Sequence, residues 1–229
     1  MKIALMQPYF FPYIGYYQLV HSVDEFVFYD DAAFIKQGYI NRNRILLGAA
    51  PHNFSLAVKN VSSFRPIKNH DYLNNFSNFK RQLYSSYSKA PNFKDAIQLV
   101  EQVLDESNNN VAHKNASSIT TIFDYLGIEK KFSFSSDLII SEEIRGQNRV
   151  IEICKLKSAI KYINSPGGKS LYNKKIFSDN YIELSFIESE EISYKQKGSE
   201  FTPNLSMIDM LMWCDKASIL KYLSNYNLS

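Results

Sequence analysis

The chain has 229 residues, of which 45% are hydrophobic and 21% are charged, so a disordered polypeptide is excluded and one large domain is expected. Its net charge of +3 is too small to indicate a nucleic-acid or membrane-surface partner, and no stretch reaches the roughly 20 apolar residues of a membrane-spanning helix. The two cysteines, Cys154 and Cys214, and the scattered histidines have neither disulfide-framework nor metal-ligand spacing. A cytoplasmic protein without a metal site is therefore the expectation.

The first part of the chain predicts a strand, a helix and a second strand. Lys2–Met6 is an apolar strand, Tyr16–His21 is a short helix, and Asp24–Asp31 is a second strand that ends in two carboxylates. Two apolar strands joined by a helix favour parallel pairing. The apolar residues of HNFSLAVKN then alternate, which predicts a further strand.

Residues 72–127 form a predicted helical insertion. Apolar residues recur there at helical spacing in three stripes, separated by breaks at Ala90-Pro91 and at three consecutive asparagines. The stripes are Phe76, Phe79, Leu83 and Tyr87; Phe93, Ile97, Val100 and Leu104; and Ala112, Ala116, Ile119, Phe123 and Leu126. Gly127 follows the third stripe and suits a left-handed C-terminal cap. We expect the stripes to face the core.

After the insertion, strand and helix patterns alternate again. KKFSFSSDL, AIKYINS and YIELSFI predict strands, GQNRVIEICKLKS predicts a helix, and SPGGKSLY predicts a glycine turn that leads into a short helix. Leu205–Tyr222 predicts a helix pair whose first member begins with a capping box of Ser206 and Asp209. The predicted fold is a single α/β domain over residues 1–229, with a Rossmann-like, mostly parallel sheet, helices on both faces and the helical insertion in the middle of the chain.

The segment MQPYFFPYIGYYQLV carries six aromatic residues directly after the first predicted strand. In a parallel sheet, ligands bind where loops leave the carboxyl ends of the strands. Gln7, Tyr9 and Tyr16 are therefore candidate substrate-binding residues, because a tyrosine ring stacks on a base or sugar while its hydroxyl forms a hydrogen bond. Packing beneath the helix is an equally supported role for these three residues, and it is the favoured role for the two phenylalanines.

FPYIGY in this segment resembles the HIGH turn of adenylyl-transferring enzymes with Rossmann-like folds, with Tyr13 and Tyr16 in the places of the histidines. Those histidines meet the phosphates of ATP, whereas tyrosine carries no positive charge. The resemblance therefore supports the fold more than the chemistry.

A second segment, YDDAAFIKQGYINRNRIL, places carboxylates, cations and amides after the second predicted strand. Asp30 and Asp31 are candidate catalytic residues, since carboxylates at a strand end commonly bind a ribose, an amine or a metal. Arginine matches phosphate or carboxylate with two parallel hydrogen bonds, and neighbouring amides suit sugar hydroxyls. The candidate substrate-binding residues here are Lys36, Asn41, Arg42 and Asn43. A solvated polar loop is the alternative, but flanking apolar residues indicate a packed loop whose polar groups need partners.

Two further candidates have weaker support. Gly167 and Gly168 of SPGGKSLY are assigned to substrate binding, because the amides of a glycine turn can bind an anion at a helix start. Ile163 stands where a Walker motif would have its first glycine, so a structural turn is the alternative. His52 is a candidate general base, since imidazole titrates near neutral pH, although a lone histidine is more often structural.

Four blocks of the sequence together resemble the WbqC-like family: MQPYFFPYIGYYQLV, FVFYDDAAFIKQGYINRNRIL, INSPGGKSLY and YKQKGSEFTPNLSMIDMLMW, in this order. The resemblance covers nearly the whole chain, with Tyr39 in a place where tryptophan is common. Members occur among genes for bacterial O-antigen, the polysaccharide of lipopolysaccharide, and for other surface polysaccharides. The family is suggested to contain glycine transferases that attach an aminoacyl group to an amino sugar, so the resemblance implies that activity.

Two hypotheses follow. In the first, the protein transfers glycine to the amine of a nucleotide-linked amino sugar; the donor is glycine on an aminoacyl carrier protein, or free glycine with ATP. Arg42 and Lys36 would hold the diphosphate, and Asp30 or Asp31 would position the amine, which must be neutral to attack. The alternative is a non-catalytic binding or scaffold protein of polysaccharide assembly. Both require the segments after the first two strands to lie side by side.

Overall fold

One mixed sheet and one separate hairpin contain all the strands in the part of the chain that the structure describes. The computed structural model describes residues 1–198 and 200–229. The strands in chain order are β1 (Lys2–Met6), β2 (Glu25–Phe28), β3 (Arg42–Leu47), β4 (Ala50–Ser55), β5 (Lys131–Phe134), β6 (Lys161–Asn164), β7 (Glu183–Ser189) and β8 (Tyr226–Leu228). The sheet has the order β5-β2-β1-β6-β7-β8, while β3 and β4 pair with each other.

Five strands of the sheet are parallel, and only β8, at one edge, runs antiparallel to its neighbour. The chain passes from β1 to β2 on one side of β1, and later returns from β5 to β6 on the other side. The strand order therefore reverses between β1 and β6. In open α/β sheets, ligands bind outside the carboxyl ends of the strands at such a reversal.

Eight α-helices connect these strands within the described residues. They are α1 (Ile14–His21), α2 (Ser77–Tyr87), α3 (Phe93–Asp105), α4 (Val111–Leu126), α5 (Gly146–Leu156), α6 (Lys174–Asp179), α7 (Met207–Trp213) and α8 (Lys216–Leu223). The apolar stripes predicted for α2 and α4 are buried, as are three of the four residues of the α3 stripe. Gly127 ends α4 with φ of 75°, which confirms the predicted left-handed cap.

Apolar side chains of β1 and β2 enter two different clusters of the core. Ala4, Phe26 and Phe28 belong to a large cluster that includes residues of α1 to α4, α7 and α8. Leu5 and Val27 belong to a smaller cluster with residues of α5 and α6. Because successive residues of a strand point to opposite faces, the two clusters cover opposite faces of the central strands.

Three local predictions are wrong. The second strand ends at Phe28, so Asp30 and Asp31 lie in the following loop. β4 ends at Ser55, short of the predicted alternation. The predicted capping box at α7 is only half present: Ser206 Oγ accepts from the Ile208 amide at 3.3 Å, but the Asp209 carboxylate is fully buried and bonds to other elements. The packing of α7 against those elements provides better donors than the helix start does.

Candidate functional site

The segments that follow β1 and β2 lie side by side. Met6 pairs with Phe28 in the parallel register, and the amide of Tyr29 donates to the Met6 carbonyl at 2.8 Å. Gln7 Nε2 then donates to the carbonyl of Ala33 at 3.4 Å. The adjacency that both functional hypotheses require is therefore present.

The aromatic turn after β1 is fixed by hydrogen bonds from distant parts of the chain. Phe11 has φ of 39°, an unusual value for a residue with a side chain. Its carbonyl accepts from Asn43 Nδ2 and from Ser206 Oγ, both at 2.7 Å, and its amide donates to Ser118 Oγ at 3.0 Å. The side chains of Phe10 and Phe11 are fully buried, which confirms their packing role.

Asn115 of α4 joins the aromatic turn to the segment after β2. Its Nδ2 donates to the carbonyls of Pro8 at 2.9 Å and Ile40 at 2.7 Å, and its Oδ1 accepts from the Tyr72 hydroxyl at 2.8 Å. The side chain is fully buried. Asn115 was missed by the sequence analysis, although an asparagine within an apolar helix face is a signal that could have indicated it.

The tyrosines of the turn differ in accessibility. The Tyr16 hydroxyl donates to the Gln7 carbonyl at 2.8 Å and the side chain is buried, so its substrate-binding role stays a prediction. Tyr13 and Tyr39 are 37% and 62% exposed, and the Tyr9 ring lies 6.3 Å from that of Tyr39. Burial, followed by the neighbouring tyrosines, raises the pKa of Tyr9 and Tyr13, so both remain neutral hydrogen-bond donors.

The β3–β4 hairpin separates the candidate cations from the candidate base. Arg42 pairs with Ser55, whereas Ile45 pairs with His52. Because alternate residues face opposite sides and paired residues share a side, Arg42 and His52 project from opposite faces of the hairpin. His52 Nε2 lies 3.4 Å from Nε2 of Gln82, on α2. The structure therefore does not bring His52 to the arginines, and its catalytic role stays a prediction.

Three neighbouring cavities of about 440, 350 and 400 Å³ lie along the other face of the hairpin and the aromatic turn. The cavity of about 350 Å³ shares lining residues with each of the other two, and together we call the three cavities the tyrosine–arginine groove. The side chains that define it are Tyr9, Tyr13, Tyr39, Lys36, Arg42 and Arg44. Among the residues that the structure describes, no aspartate or glutamate lines these cavities. Such a surface favours an anionic ligand with rings that can stack.

A fourth cavity of about 560 Å³, the acidic cavity, adjoins the groove and shares Tyr13 and Asn204 with it. Its lining includes Glu190 and Glu191, many apolar side chains and the backbone of Gly15. A Cβ atom on Gly15 would lie 2.5 Å from Cε2 of Tyr13. Glycine is therefore required at position 15 for the Tyr13 ring to lie across the start of α1, between the tyrosine–arginine groove and the acidic cavity.

Asp30 and Asp31 connect the end of β2 to the segment after β5. Asp30 accepts from the Ser136 hydroxyl at 2.7 Å and the Ser136 amide at 3.1 Å. Asp31 accepts from Ser135 Oγ at 2.5 Å and forms an ion pair with Arg149, a residue that the sequence analysis missed. The carboxylates of Asp30 and Asp31 are therefore bonded to these partners, and neither residue lines the groove. The catalytic role of Asp30 and Asp31 remains a prediction.

The remaining candidates are engaged in structural contacts. Asn41 Nδ2 donates to the Leu56 carbonyl at 2.7 Å, so its amide, like that of Asn43, fixes a wall of the groove. Gly167 and Gly168 lie in a short 3₁₀ turn after β6. Of the predicted site residues, those that line the groove are Tyr9, Lys36, Asn41, Arg42 and Asn43. Those that do not are Gln7, Tyr16, Asp30, Asp31, His52, Gly167 and Gly168.

The chain is similar to known proteins over most of its length. Residues 7–221 match the WbqC-like protein family. The uncharacterized protein Rv1507c of Mycobacterium tuberculosis (strain ATCC 25618 / H37Rv) is 26% identical over 215 residues, a match that covers 92% of each chain. No solved structure matches the chain significantly. In the described part of the chain, no helix has the length and apolar character needed to cross a membrane.

Proposed function

The chain belongs to the WbqC-like protein family, and from this premise we propose that it is an aminoacyl transferase. Its acceptor is the amine of a nucleotide-linked amino sugar used for a bacterial surface polysaccharide such as O-antigen, and its donor is an activated glycine. The observation that carries the proposal is the tyrosine–arginine groove, which combines three cations and three tyrosines without a carboxylate among the described residues. A nucleoside diphosphate needs these two kinds of contact.

The topology supports the same proposal. Numbered along the chain, the five parallel strands have the order 3-2-1-4-5, which is the order of the corresponding strands in a Rossmann-like sheet. In this interpretation α2, α3 and α4 form a helical insertion between β4 and β5. The aromatic turn follows β1, the strand at which the order reverses, and the groove is built on that turn.

The groove offers different side chains to the phosphates and to the base or sugar of the acceptor. Arg42 offers a planar guanidinium group that binds a diphosphate with paired hydrogen bonds, and Lys36 adds a further positive charge. Nη2 of Arg44 already donates to the carbonyls of Pro203 at 3.3 Å and Asn204 at 3.5 Å, so Arg44 contributes its charge and its remaining N–H groups. The partly exposed rings of Tyr9 and Tyr39 suit a base or a sugar. Beyond Tyr13, the acidic cavity provides two carboxylates, so the amine-bearing end of the acceptor is assigned to it.

The transfer forms one bond and breaks another. The amine nitrogen of the sugar bonds to the carbonyl carbon of glycine, and the bond from that carbon to the carrier sulfur, or to the adenylate oxygen, breaks. The attacking amine is neutral and loses one proton as the bond forms: the carrier leaves as a thiol that takes up this proton, or AMP leaves and the proton passes to solvent. In this proposal Asp31 fixes the loop after β2 through Arg149, Asp30 fixes it through Ser136, and His52 lies on the far face of the hairpin.

Binding of the acceptor tests the groove. Arg42→Ala and Arg44→Ala should each weaken the affinity for a nucleoside diphosphate amino sugar, measured by calorimetry, by roughly 10- to 100-fold, because a hydrogen bond to a charged group contributes about 1.5–3 kcal/mol. Arg81→Ala is the matched control, since Arg81 is exposed on α2 and lines none of the groove cavities. Unchanged affinity in both groove variants would refute this location.

Turnover tests the chemistry. Purified protein is incubated with the nucleoside diphosphate amino sugar and either carrier-bound glycine or glycine with ATP, and the product is weighed by mass spectrometry. A glycylated sugar supports the transferase. Tight acceptor binding without product from either donor would instead favour the alternative, a non-catalytic binding or scaffold protein of polysaccharide assembly.

A further inference from the structure

Asp209 is a buried carboxylate at the start of α7. It is fully buried, and its two oxygens bind different parts of the protein. Oδ1 accepts from the Tyr87 hydroxyl of α2 at 2.8 Å. Oδ2 accepts from the Tyr194 hydroxyl at 2.8 Å and from Gln196 Nε2 at 3.2 Å. Within the described part of the chain, Asp209 forms no ion pair.

Such an arrangement lowers stability, because removing a carboxylate from water is unfavourable when only neutral groups replace the solvent. Burial accordingly raises the pKa of Asp209, and the hydrogen bonds from Tyr87, Tyr194 and Gln196 offset part of that effect. Local features that reduce stability are expected mainly at functional positions. A carboxylate kept in such a position is therefore expected to hold a functional element in place.

Both groups on Oδ2 belong to the segment between β7 and α7 that forms the acidic cavity. Tyr194 lines this cavity directly. Gln196 Nε2 also donates to the Thr202 carbonyl at 3.0 Å, and the Thr202 amide donates to Gln196 Oε1 at 2.8 Å. This exchange fixes the residues next to Phe201, which lines the same cavity. One carboxylate oxygen thus connects α7 to two parts of the cavity wall.

We propose that Asp209 is a positioning residue for a second subsite: it holds Tyr194 as a wall of the acidic cavity, and this cavity receives the amine-bearing sugar of the acceptor. The proposal rests on the proposed function, since it takes the acceptor to be a nucleotide-linked amino sugar. Apolar side chains and the Tyr194 ring suit the apolar face of a sugar, and the carboxylates of Glu190 and Glu191 suit hydrogen bonds donated by its amine.

The chain contains a matched control for this role. Tyr87 and Tyr194 donate to the same carboxylate at the same distance of 2.8 Å. Tyr87 does not line the acidic cavity, and its hydroxyl also accepts from the Leu46 amide at 3.0 Å. Removal of the Tyr87 hydroxyl should therefore reduce stability at least as much as removal of the Tyr194 hydroxyl, without moving the cavity wall.

The test compares Tyr194→Phe, Asp209→Asn and Tyr87→Phe by calorimetry with two probes: a nucleoside diphosphate amino sugar, and the same nucleoside diphosphate without the sugar. Tyr194→Phe and Asp209→Asn should weaken binding of the first probe by about fivefold or more, which is roughly the effect of one lost neutral contact, and leave the second within about twofold. Tyr87→Phe should leave both within about twofold while lowering the unfolding temperature.

Equal losses for both probes, or equal effects of Tyr87→Phe and Tyr194→Phe, would overturn the positioning role while leaving the proposed function intact. If the wild type binds neither probe, the proposed function fails and the second subsite fails with it. Should Asp209→Asn not fold, the comparison of the two tyrosine variants decides the question alone.

Discussion

Replacement of Asn115 by leucine tests how the aromatic turn is held. Asn115 is fully buried, and leucine has a similar shape but no hydrogen-bonding group. The substitution leaves the Pro8 carbonyl without its amide donor. The Ile40 carbonyl loses its shortest hydrogen bond but still accepts from the Phe10 amide at 3.2 Å. The Tyr72 hydroxyl keeps only a contact of 3.5 Å with that same carbonyl.

The magnitude follows from these losses. An orphaned buried carbonyl costs about 1–3 kcal/mol, and each weakened hydrogen bond costs about 0.5–1.5 kcal/mol. Burial of the leucine side chain offsets roughly 1 kcal/mol of this loss in stability. We expect Asn115→Leu to lower the free energy of unfolding by about 1–5 kcal/mol, within the range for loss of a buried polar network.

Urea unfolding followed by the fluorescence of Trp213 measures this change. Asn180→Ala is the control, because Asn180 Nδ2 makes a single bond, to the Ile176 carbonyl at 2.8 Å, in an exposed position, and its loss should change stability by about 0.5 kcal/mol or less. A loss below about 1 kcal/mol for Asn115→Leu would refute the reasoning, since it would mean that the amide contributes no more than a surface contact.

Three further predictions concern stability. Gly168→Ala should destabilise by about 1–3 kcal/mol in urea unfolding, because the new Cβ would lie 2.2 Å from Asn164 Nδ2, whereas Gly167→Ala, with nothing within 4 Å, should be nearly neutral; equal effects would contradict this. Burial acts to raise the pKa of Glu25, but hydrogen bonds from two lysines and a serine lower this pKa to about 2 from 4.5. The ionised Glu25 therefore stabilises the folded protein fully above about pH 4.5, and this stabilisation is lost as the pH falls towards 2. The shift in pKa corresponds to at most about 3 kcal/mol of folding free energy, and solvent screening of one exposed lysine reduces this to about 1–2 kcal/mol. The stability of Glu25→Gln should not show this loss between about pH 4.5 and 2, and an acid-unfolding profile identical to that of the wild type would exclude the contribution of Glu25. Lys114→Met should destabilise by about 1–3 kcal/mol in thermal or urea unfolding, because the buried Lys114 ammonium donates to three carbonyls at the end of α3; unaltered stability would show that water replaces it.

The elements that the sequence predicted well are those whose signal is local. The spacing of Phe79, Leu83 and Tyr87 identified α2 and its buried face, because helical periodicity depends only on residues three or four positions apart. The parallel pairing of β1 and β2 followed from two apolar strands joined by a helix. Of the candidate site, the aromatic turn and Arg42 could be placed, because the loops after parallel strands meet at one edge.

Predictions failed where the partner of a polar group is distant in the chain. Asp209 was expected to cap its own helix, but it bonds to Tyr87, which lies 122 positions away. The role of His52 depends on which face of the hairpin packs against α2. Arg149 gave no signal, since its ion pair with Asp31 spans 118 positions.

By itself, the sequence determined the helices and the five parallel strands, which of their faces are apolar, and that the loops after the first two strands adjoin, whereas β3 and β8 were not predicted. The tertiary structure alone decided which polar side chains fix the scaffold, such as Asn43 and Asn115, and which remain available to a ligand, such as Lys36 and Arg42. The physical reason is that burial of apolar residues follows from local periodicity, whereas satisfaction of a buried polar group depends on the donors and acceptors that distant segments bring to it.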